Sequence, residues 1–284
     1  MIISYESGRL GNQLFQYFGL KKLSGNEKIF FVGMNSLVST FDNININKNF
    51  TIIEKIIQIF GKKRLKYISK KFRIISYAEE NIIENECRYF VKRGLISSVV
   101  YFDTAYFQSE TMIEEEIVSS IRIKSNLLKR ADDIFKKLPA DRAETFFVHI
   151  RRGDYVKWPV GSPAILPLAW YHEQMDQIRV NFRKPFFILV SDDKPYAEKM
   201  FGNLADVYVS HESEGVEFAL MTKCPGGGIL SASSFSWWAA YFVRQANRDA
   251  AFIAPLYWAG HRRGTWFPES IKTSWLNYAE VHGD

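Results

Sequence analysis

Two neighbouring arginines, Arg151 and Arg152, follow an apolar run in the second half of the chain and suit the binding of a diphosphate. They belong to residues 149–155 (His-Ile-Arg-Arg-Gly-Asp-Tyr), directly after residues 145–148. A guanidinium group presents a planar fork of donors and stays charged at any working pH. Gly153 lets the backbone come close to a ligand. Because ligands bind beyond the carboxyl ends of parallel strands, we predict a pyrophosphate site here. A surface pair of arginines is the alternative interpretation.

Asp154 adds a carboxylate one short turn away from these arginines. Such a group can take a proton from an attacking hydroxyl. It can also orient Arg151 or cap a turn without any chemistry, and the residues alone leave these interpretations open. Arg152-Gly153-Asp154 matches an integrin-type adhesion tripeptide as well. Three-residue matches are common by chance, and this one directly follows a core strand, so we set adhesion aside.

A second candidate anion site lies in residues 8–17, between the first predicted strand and the first predicted helix. Gly8 and Gly11 at such a junction expose backbone N–H groups at a helix N-terminus, where the helix dipole favours an anion. The spacing is neither GxGxxG nor a P-loop, so a dinucleotide fingerprint is not supported. A tight turn with Asn12 as the N-cap is the alternative interpretation.

Two later junctions carry polar groups of the same kind. Residues 191–193 (Ser-Asp-Asp) end an apolar run, and Asp192 can accept hydrogen bonds from a base or ribose, or one of the three can cap the next helix. In residues 231–240, Ser233 and Ser234 stand at the start of a helix and present donors to phosphate oxygens. Each junction therefore predicts part of an anionic ligand site.

The aromatic residues of the last junction have separate interpretations. Phe235 can stack on a base. Of Trp237 and Trp238, one is expected to pack in the core and the other to line a sugar pocket. Aromatic residues make up 15% of the chain, so the core is the plainer explanation for any single one of them.

The sequence lacks the patterns of a metal-held nucleotide-sugar site. No Asp-x-Asp pair occurs, and no His or Cys cluster has ligand spacing. The two cysteines, Cys87 and Cys224, imply no disulfide framework. The N-terminus does not resemble a signal peptide, and no apolar run approaches the roughly 18 residues that cross a bilayer. We therefore expect a cytoplasmic protein with no metal and no cofactor, in which cationic side chains stabilise a leaving diphosphate.

Alternating elements must position these groups. The pattern predicts strands at 1–5, 28–32, 145–150, 185–190, 207–209, 228–231 and 251–254. It predicts helices at 12–23, 51–60, 114–137 (in two pieces), 168–181, 193–201, 214–223 and 234–247 and leaves 81–91 and 102–110 unassigned. This order favours an α/β fold with a doubly wound parallel sheet. A proline beside polar residues at 138–141 predicts a boundary between domains 1–140 and 141–284.

The four junctions together resemble the motifs of the α-1,2-fucosyltransferases of glycosyltransferase family 11. Residues 8–17 (Gly-Arg-Leu-Gly-Asn-Gln-Leu-Phe-Gln-Tyr), 149–155, 191–193 and 231–238 stand in that family's order and span nearly the whole chain. Ala232 stands where the family has Asn, and Tyr196 where it has Trp, which blurs the acceptor preference. The chain begins at the first motif, as do bacterial members that decorate surface polysaccharides.

The resemblance implies two Rossmann-like lobes in a GT-B-like fold, with a reduced N-terminal lobe on the acceptor side. It also implies a C-terminal lobe that binds GDP-β-L-fucose, and inverting transfer to the 2-hydroxyl of a terminal β-galactoside. No nucleic acid is implied. The alternatives are a non-catalytic nucleotide-sugar or glycan-binding protein, or a transferase of another GDP-sugar such as GDP-mannose.

The implied catalytic residues are Arg151, Asp154 and Asn12, with Glu6 as the second candidate for the base. The implied donor contacts are Gly11, Asn12, His149, Arg151, Arg152, Asp192, Ser233, Ser234 and Phe235, and the implied acceptor contacts are Tyr155, Trp237 and Trp238.

The net charge of +6 favours anionic partners and is concentrated in residues 48–73, which hold nine basic residues against one acid. Apolar residues there fall at helical spacing: Ile52, Ile53, Ile56 and Ile57. A basic amphipathic helix can lie on an anionic membrane, with each cation adding about 1 kcal/mol. The alternative is a helix packed on the core whose lysines face water. The two interpretations differ in the exposure of the isoleucine side chains: exposed isoleucines favour the membrane, and buried ones favour the core.

Overall fold

Strands and helices alternate along the chain, and a computed structural model describes residues 1–25, 27–44, 46, 52–83, 86–103, 105–139 and 144–283. The chain forms two compact units, Met1–Arg122 and Ile123–Asp284. The strands of the N-terminal unit are β1 (Ile2–Tyr5), β2 (Ile29–Val32), β3 (Phe41–Asp42), β4 (Ile75–Ile83), β5 (Glu86–Lys92) and β6 (Ile96–Phe102). Its helices are α1 (Leu10–Ser24), α2 (Asn35–Thr40), α3 (Ile52–Tyr67) and α4 (Glu115–Ser120). A short strand, β7 (Arg122–Ile123), lies at the division between the units.

The N-terminal sheet has the order β2-β1-β6-β4-β5, with β4 and β5 antiparallel and the other neighbours parallel. Helix α1 follows β1 and buries Leu14, Phe15 and Phe18 completely. It begins at Leu10, with Arg9 at the N-cap, so Asn12 lies inside the first turn and the predicted Asn12 cap is wrong. Helix α3 is longer than predicted and is kinked at Gly61, whose φ of 67° only glycine adopts readily.

The C-terminal unit contains the elements that the sequence predicts best. Its strands are β8 (Thr145–Ile150), β9 (Phe186–Ser191), β10 (Val207–Val209), β11 (Gly227–Ile229), β12 (Ala251–Pro255) and β13 (Asn277–Ala279). Its helices are α5 (Ser125–Phe135), α6 (Leu168–Asn181), α7 (Lys194–Phe201), α8 (Glu214–Thr222) and α9 (Ser234–Ala246). All six strands are parallel, in the order β10-β9-β8-β11-β12-β13. The predicted doubly wound sheet is confirmed.

This strand order creates a switch point between β8 and β11. From β8 the chain continues outward through β9 and β10, and it then returns to the other side of β8 as β11. The crossovers on the two sides diverge, which opens a crevice at the carboxyl ends of β8 and β11. Residues 149–155 and 231–240 begin at these two strand ends.

The division between the units falls earlier than the predicted boundary at 138–141, of which Ala140 and Asp141 lie outside the described residues. Helix α5 precedes that boundary but belongs to the C-terminal unit. It is joined to α8 by an ion pair of 3.0 Å between Asp132 and Lys223 Nζ, and its inner side chains Ala131, Ile134 and Phe135 are buried. Pro139 follows a helix of the C-terminal unit and does not mark the division between the units.

Candidate functional site

The hydroxyl of Ser231 joins the two strand ends at the switch point. It donates to the carbonyl oxygen of His149 at 2.7 Å and accepts from the backbone N–H of Arg151 at 2.8 Å. Because its single proton is engaged, the hydroxyl of Tyr171, 2.6 Å away, must donate to it. Sequence reasoning missed this role, since a serine among several gives no sign that it bridges strands.

Arg151 is held between two carboxylates. Its Nη1 lies 2.8 Å from Asp192 Oδ2, and its Nη2 pairs with Asp154 Oδ1. The guanidinium carbon is 5.2 Å from the ring centre of Tyr155. Its side chain is 15% exposed whereas that of Asp154 is 63% exposed, so the cation is sheltered beneath a carboxylate that reaches solvent. Such a cation can bind a phosphate group if the ligand replaces or shares these carboxylates.

Arg152 points toward α7 rather than beside Arg151. Its backbone N–H donates to Asp192 Oδ1 at 2.8 Å, and its Nε donates to Asp193 Oδ2 at 3.0 Å. Its guanidinium lies 3.6 Å from the ring centre of Tyr196, which supplies the flat surface that the family's tryptophan would give. Asp193 is the N-cap of α7 and accepts from the N–H of Tyr196, which confirms the predicted cap. A Cβ at Gly153 would lie 2.5 Å from Asp192 Oδ2, so a side chain there would disturb the carboxylate.

His149 is buried beneath the crevice. Burial lowers its pKa to about 4, so the imidazole is neutral at physiological pH. Within the described ranges its buried Nδ1 has no hydrogen-bond partner. Its ring lies 5.5 Å from that of Phe235, which in turn lies 5.6 Å from Phe218. In this aromatic wall Phe235 is partly exposed and suits contact with a planar heterocycle, whereas Phe218 is completely buried.

Helix α9 starts at the carboxyl end of β11. Ser233 caps it by accepting from the N–H of Phe235 at 3.4 Å, and Ser234 is its first residue. The N–H groups of this first turn and the dipole of a 13-residue helix favour an anion at this end. Arg151 and the α9 N-terminus thus stand at the two strand ends that Ser231 joins.

Glu217 is a second residue that sequence reasoning missed. It is 6% exposed and accepts from Ser210 Oγ and Lys194 Nζ, both at 3.2 Å. Burial raises its pKa to about 7. Its signal in the sequence is a lone acid within an apolar run of α8. The next residue, Phe218, belongs to the aromatic wall.

The predicted acceptor contacts Trp237 and Trp238 are wrong. Both side chains are completely buried, because Trp237 stacks on Tyr241 at 5.3 Å and lies 5.5 Å from Trp275, while Trp238 meets Phe242 at 6.2 Å. The two rings also lie 5.3 Å apart, and both contact Tyr241. Both tryptophans therefore belong to the core.

The hydroxyl of Tyr155 links two segments of the site, a role that the sequence does not show. Its hydroxyl donates to the carbonyl oxygen of Ala232 at 2.6 Å, which ties the segment after β8 to the segment after β11. Its ring lies 5.2 Å from Trp158. The acceptor role of Tyr155 stays a prediction.

In the N-terminal unit, residues 8–17 are held mainly by buried amides. Gln13 Oε1 accepts from the N–H of Leu37 at 2.9 Å, and Gln16 Oε1 accepts from the N–H of Ser7 at 3.0 Å. Gly8 has a φ of 77°, and a Cβ there would lie 2.3 Å from Asn12 Nδ2. The loop before α1 is thus fixed by its own side chains.

Gly11 and Asn12, the predicted ligand contacts of this segment, have different surroundings. Gly11 is buried as the second residue of α1, and Asn12 Oδ1 accepts from Gln108 Nε2 at 2.8 Å. Glu6, the second candidate base, is partly exposed and accepts from Asn35 N–H at 3.2 Å and from Gln13 Nε2 at 3.3 Å. The approach of Gly11 and Asn12 to a diphosphate stays a prediction.

The described part of the chain contains neither a cluster of metal ligands nor a membrane-spanning helix. No group of three or more His, Cys, Asp and Glu side chains there is placed to hold a metal ion. None of the helices found there is long and apolar enough to cross a membrane.

One unit with a mostly parallel sheet and one with a fully parallel sheet and a switch point define a Rossmann-like protein of GT-B-like architecture. Among solved structures, the fucosyltransferase NodZ from Bradyrhizobium has a TM-score of 0.52 at 13% identity, covering 84% of this chain and 91% of NodZ. POFUT1 in complex with GDP-fucose has a TM-score of 0.51 at 13% identity, covering 88% of this chain and 97% of POFUT1. These similarities confirm the predicted fold class.

The chain belongs to glycosyltransferase family 11, because the model for Glycosyl transferase family 11 matches residues 3–279. It is 27% identical to the O-antigen biosynthesis glycosyltransferase WbnK of Escherichia coli, over 95% of this chain and 98% of WbnK. It is 26% identical to an Escherichia coli α-1,2-colitosyltransferase, over 91% and 92% of the two chains. It is 22% identical to the mouse galactoside 2-α-L-fucosyltransferase Sec1, over 87% of this chain and 65% of Sec1.

Proposed function

We propose that this glycosyltransferase moves L-fucose from GDP-β-L-fucose to the 2-hydroxyl of a terminal β-galactoside and inverts the anomeric carbon. The observation that carries the proposal is the switch point, where Ser231 joins the strand ends that carry Arg151 and the α9 N-terminus. The ring of Phe235 lies there, 5.5 Å from that of His149. Phosphate-binding groups beside an aromatic wall suit a nucleoside diphosphate. The names of the relatives, galactoside 2-α-L-fucosyltransferase among them, support the linkage.

The donor's departing GDP accumulates negative charge as its bond to the sugar breaks. Arg151 binds the β-phosphate and stabilises this charge, since a fixed cation in a sheltered site needs little reorganisation during the reaction. Ser233 and Ser234 bind the phosphates together with the first N–H groups of α9, and Asn12 stays a predicted contact of the donor. His149, Phe235 and Asp192 bind the nucleoside, and Arg152 fixes Asp192 through its backbone N–H.

The acceptor's 2-hydroxyl must lose its proton as it attacks. The acceptor oxygen forms its bond to the anomeric carbon on the face opposite GDP, and the electron pair of the breaking bond leaves with the β-phosphate. We assign the proton to Asp154, which is exposed beside Arg151. Asp154→Asn should slow turnover and remove the acidic limb of the pH–rate profile. An unchanged limb with a near-normal rate would instead mean that Asp154 only orients Arg151, and Glu6→Gln would then be measured.

We propose that the acceptor glycan binds the N-terminal unit. An open cleft of about 420 Å³ lies on its sheet and presents aromatic rings, carboxylates, an amide and a lysine, which are groups that bind sugars. Its lining residues are Tyr77, Glu79, Glu80, Asn81, Phe90, Lys92 and Asp103. Phe90→Ala should raise the KM for acceptor without changing the KM for donor.

We also propose that the reaction takes place in the cytoplasm. It proceeds without a metal ion, because Arg151 and the α9 N-terminus supply the positive charge that a bound cation would otherwise provide. Enzyme treated with EDTA should keep its activity. Strict dependence on added Mg²⁺ or Mn²⁺ would contradict this assignment.

A second candidate is colitose transfer, since the α-1,2-colitosyltransferase is almost as similar to this chain as WbnK is. Incubation of a β-galactoside with GDP-fucose, GDP-colitose or GDP-mannose, followed by mass spectrometry, separates the candidates. A deoxyhexose increment supports fucose, a dideoxyhexose increment supports colitose, and a hexose increment supports another GDP-sugar. No increment with any donor would favour a non-catalytic binding protein.

A further inference from the structure

Large apolar side chains that reach solvent are concentrated in one stretch of the described chain. Residues 56–96 contribute eleven of them, and the rest of the described chain contributes five. The eleven are Ile56, Ile59, Phe60, Tyr67, Phe72, Ile74, Tyr89, Phe90, Val91, Leu95 and Ile96. Scattered apolar residues need no explanation, but a concentration of this kind marks a surface that binds something.

Five of these side chains lie together where two turns of the N-terminal unit meet. The rings of Tyr67 and Phe72 are 5.5 Å apart. The N–H of Leu95 donates to the carbonyl oxygen of Arg73 at 2.8 Å, and that of Ile96 donates to Ile74 at 2.7 Å. The turn after α3 and the connection between β5 and β6 therefore lie side by side. We call Tyr67, Phe72, Ile74, Leu95 and Ile96 the apolar ridge.

Exposure along the apolar ridge is greatest at the connection between β5 and β6. Leu95 is 87% exposed and Phe72 is 57% exposed. The backbone beneath them is fixed by the two hydrogen bonds between the turns and by Gly94, where a Cβ would lie 2.4 Å from the carbonyl carbon of Ile75. Backbone hydrogen bonds between the two turns thus hold apolar side chains that reach solvent.

Cations surround the apolar ridge. Residues 62–73 contain seven Lys and Arg residues and no acid. Lys66 pairs with Asp103 and Lys70 with Glu79. Other exposed cations have no ion pair within the described ranges, and these are Lys63, Arg64, Lys71, Arg73 and Arg93. An apolar patch ringed by cations is complementary to a surface that is apolar inside and anionic outside.

We propose that the apolar ridge docks the N-terminal unit on an anionic lipid bilayer. Phe72 and Leu95 enter the boundary between headgroups and acyl chains, while Lys71 and Arg73 bind the headgroups. This surface is separate from the helix face that the isoleucine spacing predicts, and exposed apolar residues lie on α3 as well, at Ile56, Ile59 and Phe60. Ile57 is buried, Ile56 is 47% exposed, and the side chains of Ile52 and Ile53 lie outside the described residues. The docking surface lies at the end of α3, in the segment that follows it, and at the start of β6.

Co-sedimentation of the full chain with vesicles tests the proposal. The protein should bind vesicles of phosphatidylcholine with phosphatidylglycerol, bind phosphatidylcholine alone weakly, and lose most binding at high salt. Phe72→Ser/Leu95→Ser should weaken binding at least tenfold. The matched control Val160→Ser/Val180→Ser removes two valines that are 86% and 84% exposed in the C-terminal unit and should bind as the parent does.

A charge pair of variants separates the electrostatic part. Lys71→Gln/Arg73→Gln should weaken binding to anionic vesicles roughly 30-fold, whereas Lys137→Gln/Lys199→Gln, with the same loss of charge, should change it little. Equal Tm values show that the variants fold. Transfer between soluble donor and acceptor should be unchanged in all four variants, so this surface is tested separately from catalysis.

Three results would overturn the proposal. The first is no salt-sensitive binding of the parent protein to anionic vesicles. The second is equal binding by the parent and Phe72→Ser/Leu95→Ser. The third is a dimer in solution, without vesicles, that the apolar ridge variant abolishes, because a second copy would then be the occupant of the surface.

Discussion

The two glycine-bearing motifs of the chain, residues 149–155 and 8–17, use their polar residues differently. In residues 149–155, the charged groups of Arg151 and Asp154 gather beside the crevice at the switch point. In residues 8–17, the amides of Gln13 and Gln16 are buried and bind backbone N–H groups. One motif presents charge to a ligand and the other mainly fixes the shape of a loop. A specific string therefore identifies a family without saying which of its residues meet the substrate.

Each motif also depends on a polar side chain that bridges backbone segments. Ser231 joins the ends of β8 and β11, and Gln13 joins the loop before α1 to the start of α2. Ser231 stands beside groups that we assign to the donor, so its loss would disturb chemistry and stability together. Gln13 is bonded to backbone at both ends of its amide, so its loss should disturb stability alone. Substitutions can test whether this difference is real.

The largest effect is expected for Arg151→Ala. Removal of a fixed cation from the leaving diphosphate should lower kcat by roughly 10³-fold, with only a small change in the KM for acceptor. Steady-state kinetics with GDP-fucose measures this, and circular dichroism checks the fold. The matched control is Arg152→Ala, whose side chain is engaged by Asp193 and Tyr196. We expect less than a tenfold loss there, and equal losses in the two variants would contradict the separate roles of the arginines.

A somewhat smaller effect, on stability, is expected for Glu217→Gln. The pKa of Glu217 is raised to about 7 in the folded protein, whereas an ordinary glutamate titrates near 4.5. The folded state therefore holds a proton that the unfolded chain has released, and the parent loses stability as the pH rises from about 4.5 through 7. The glutamine variant cannot titrate. Its free energy of unfolding relative to the parent should thus rise by roughly 3 kcal/mol between pH 4.5 and pH 8.

Urea unfolding of both proteins across this pH range measures the difference. His149 contributes a slope of the opposite sign, because burial lowers its pKa to about 4 and the unfolded chain takes up the proton first as the pH falls. This slope is common to both proteins and cancels in the comparison. A difference that does not vary with pH would show that Glu217 is ionised throughout and stabilised by Lys194.

The sequence predicts the C-terminal unit far better than the N-terminal one, for a physical reason. Strand β8 and helix α6 have the predicted bounds because buried parallel strands are continuous apolar runs and the intervening helices are regular. The β4–β5 hairpin was not assigned, since its strands carry charged residues such as Glu79 and Lys92. Periodicity detects burial, and β5 is exposed at residues 88–92, whereas β4 is buried, among its described side chains, only at residues 75–78.

The candidate site is predictable to a similar, partial extent. The position of Arg151 at a strand end follows from the parallel sheet, but the bridge made by Ser231 depends on a register that no spacing reveals. The burial of Trp237 and Trp238 depends on rings contributed by distant residues such as Trp275. What the sequence leaves open is therefore set by contacts between segments far apart in the chain.

The smallest effect is expected for Gln13→Ala. This change removes the acceptor of the buried Leu37 N–H and the donor to Gly8 and Glu6. One unsatisfied buried N–H typically costs about 2 kcal/mol, so urea unfolding should show a loss of that size. The control Gln177→Ala lies at an exposed position of α6 and should change stability by less than about 0.5 kcal/mol.

Turnover per folded molecule of Gln13→Ala should stay within about threefold of the parent, because Gln13 holds a loop and touches no substrate. If Gln13→Ala keeps its stability but loses turnover, the amide itself meets the ligand, and the two motifs then work in the same way.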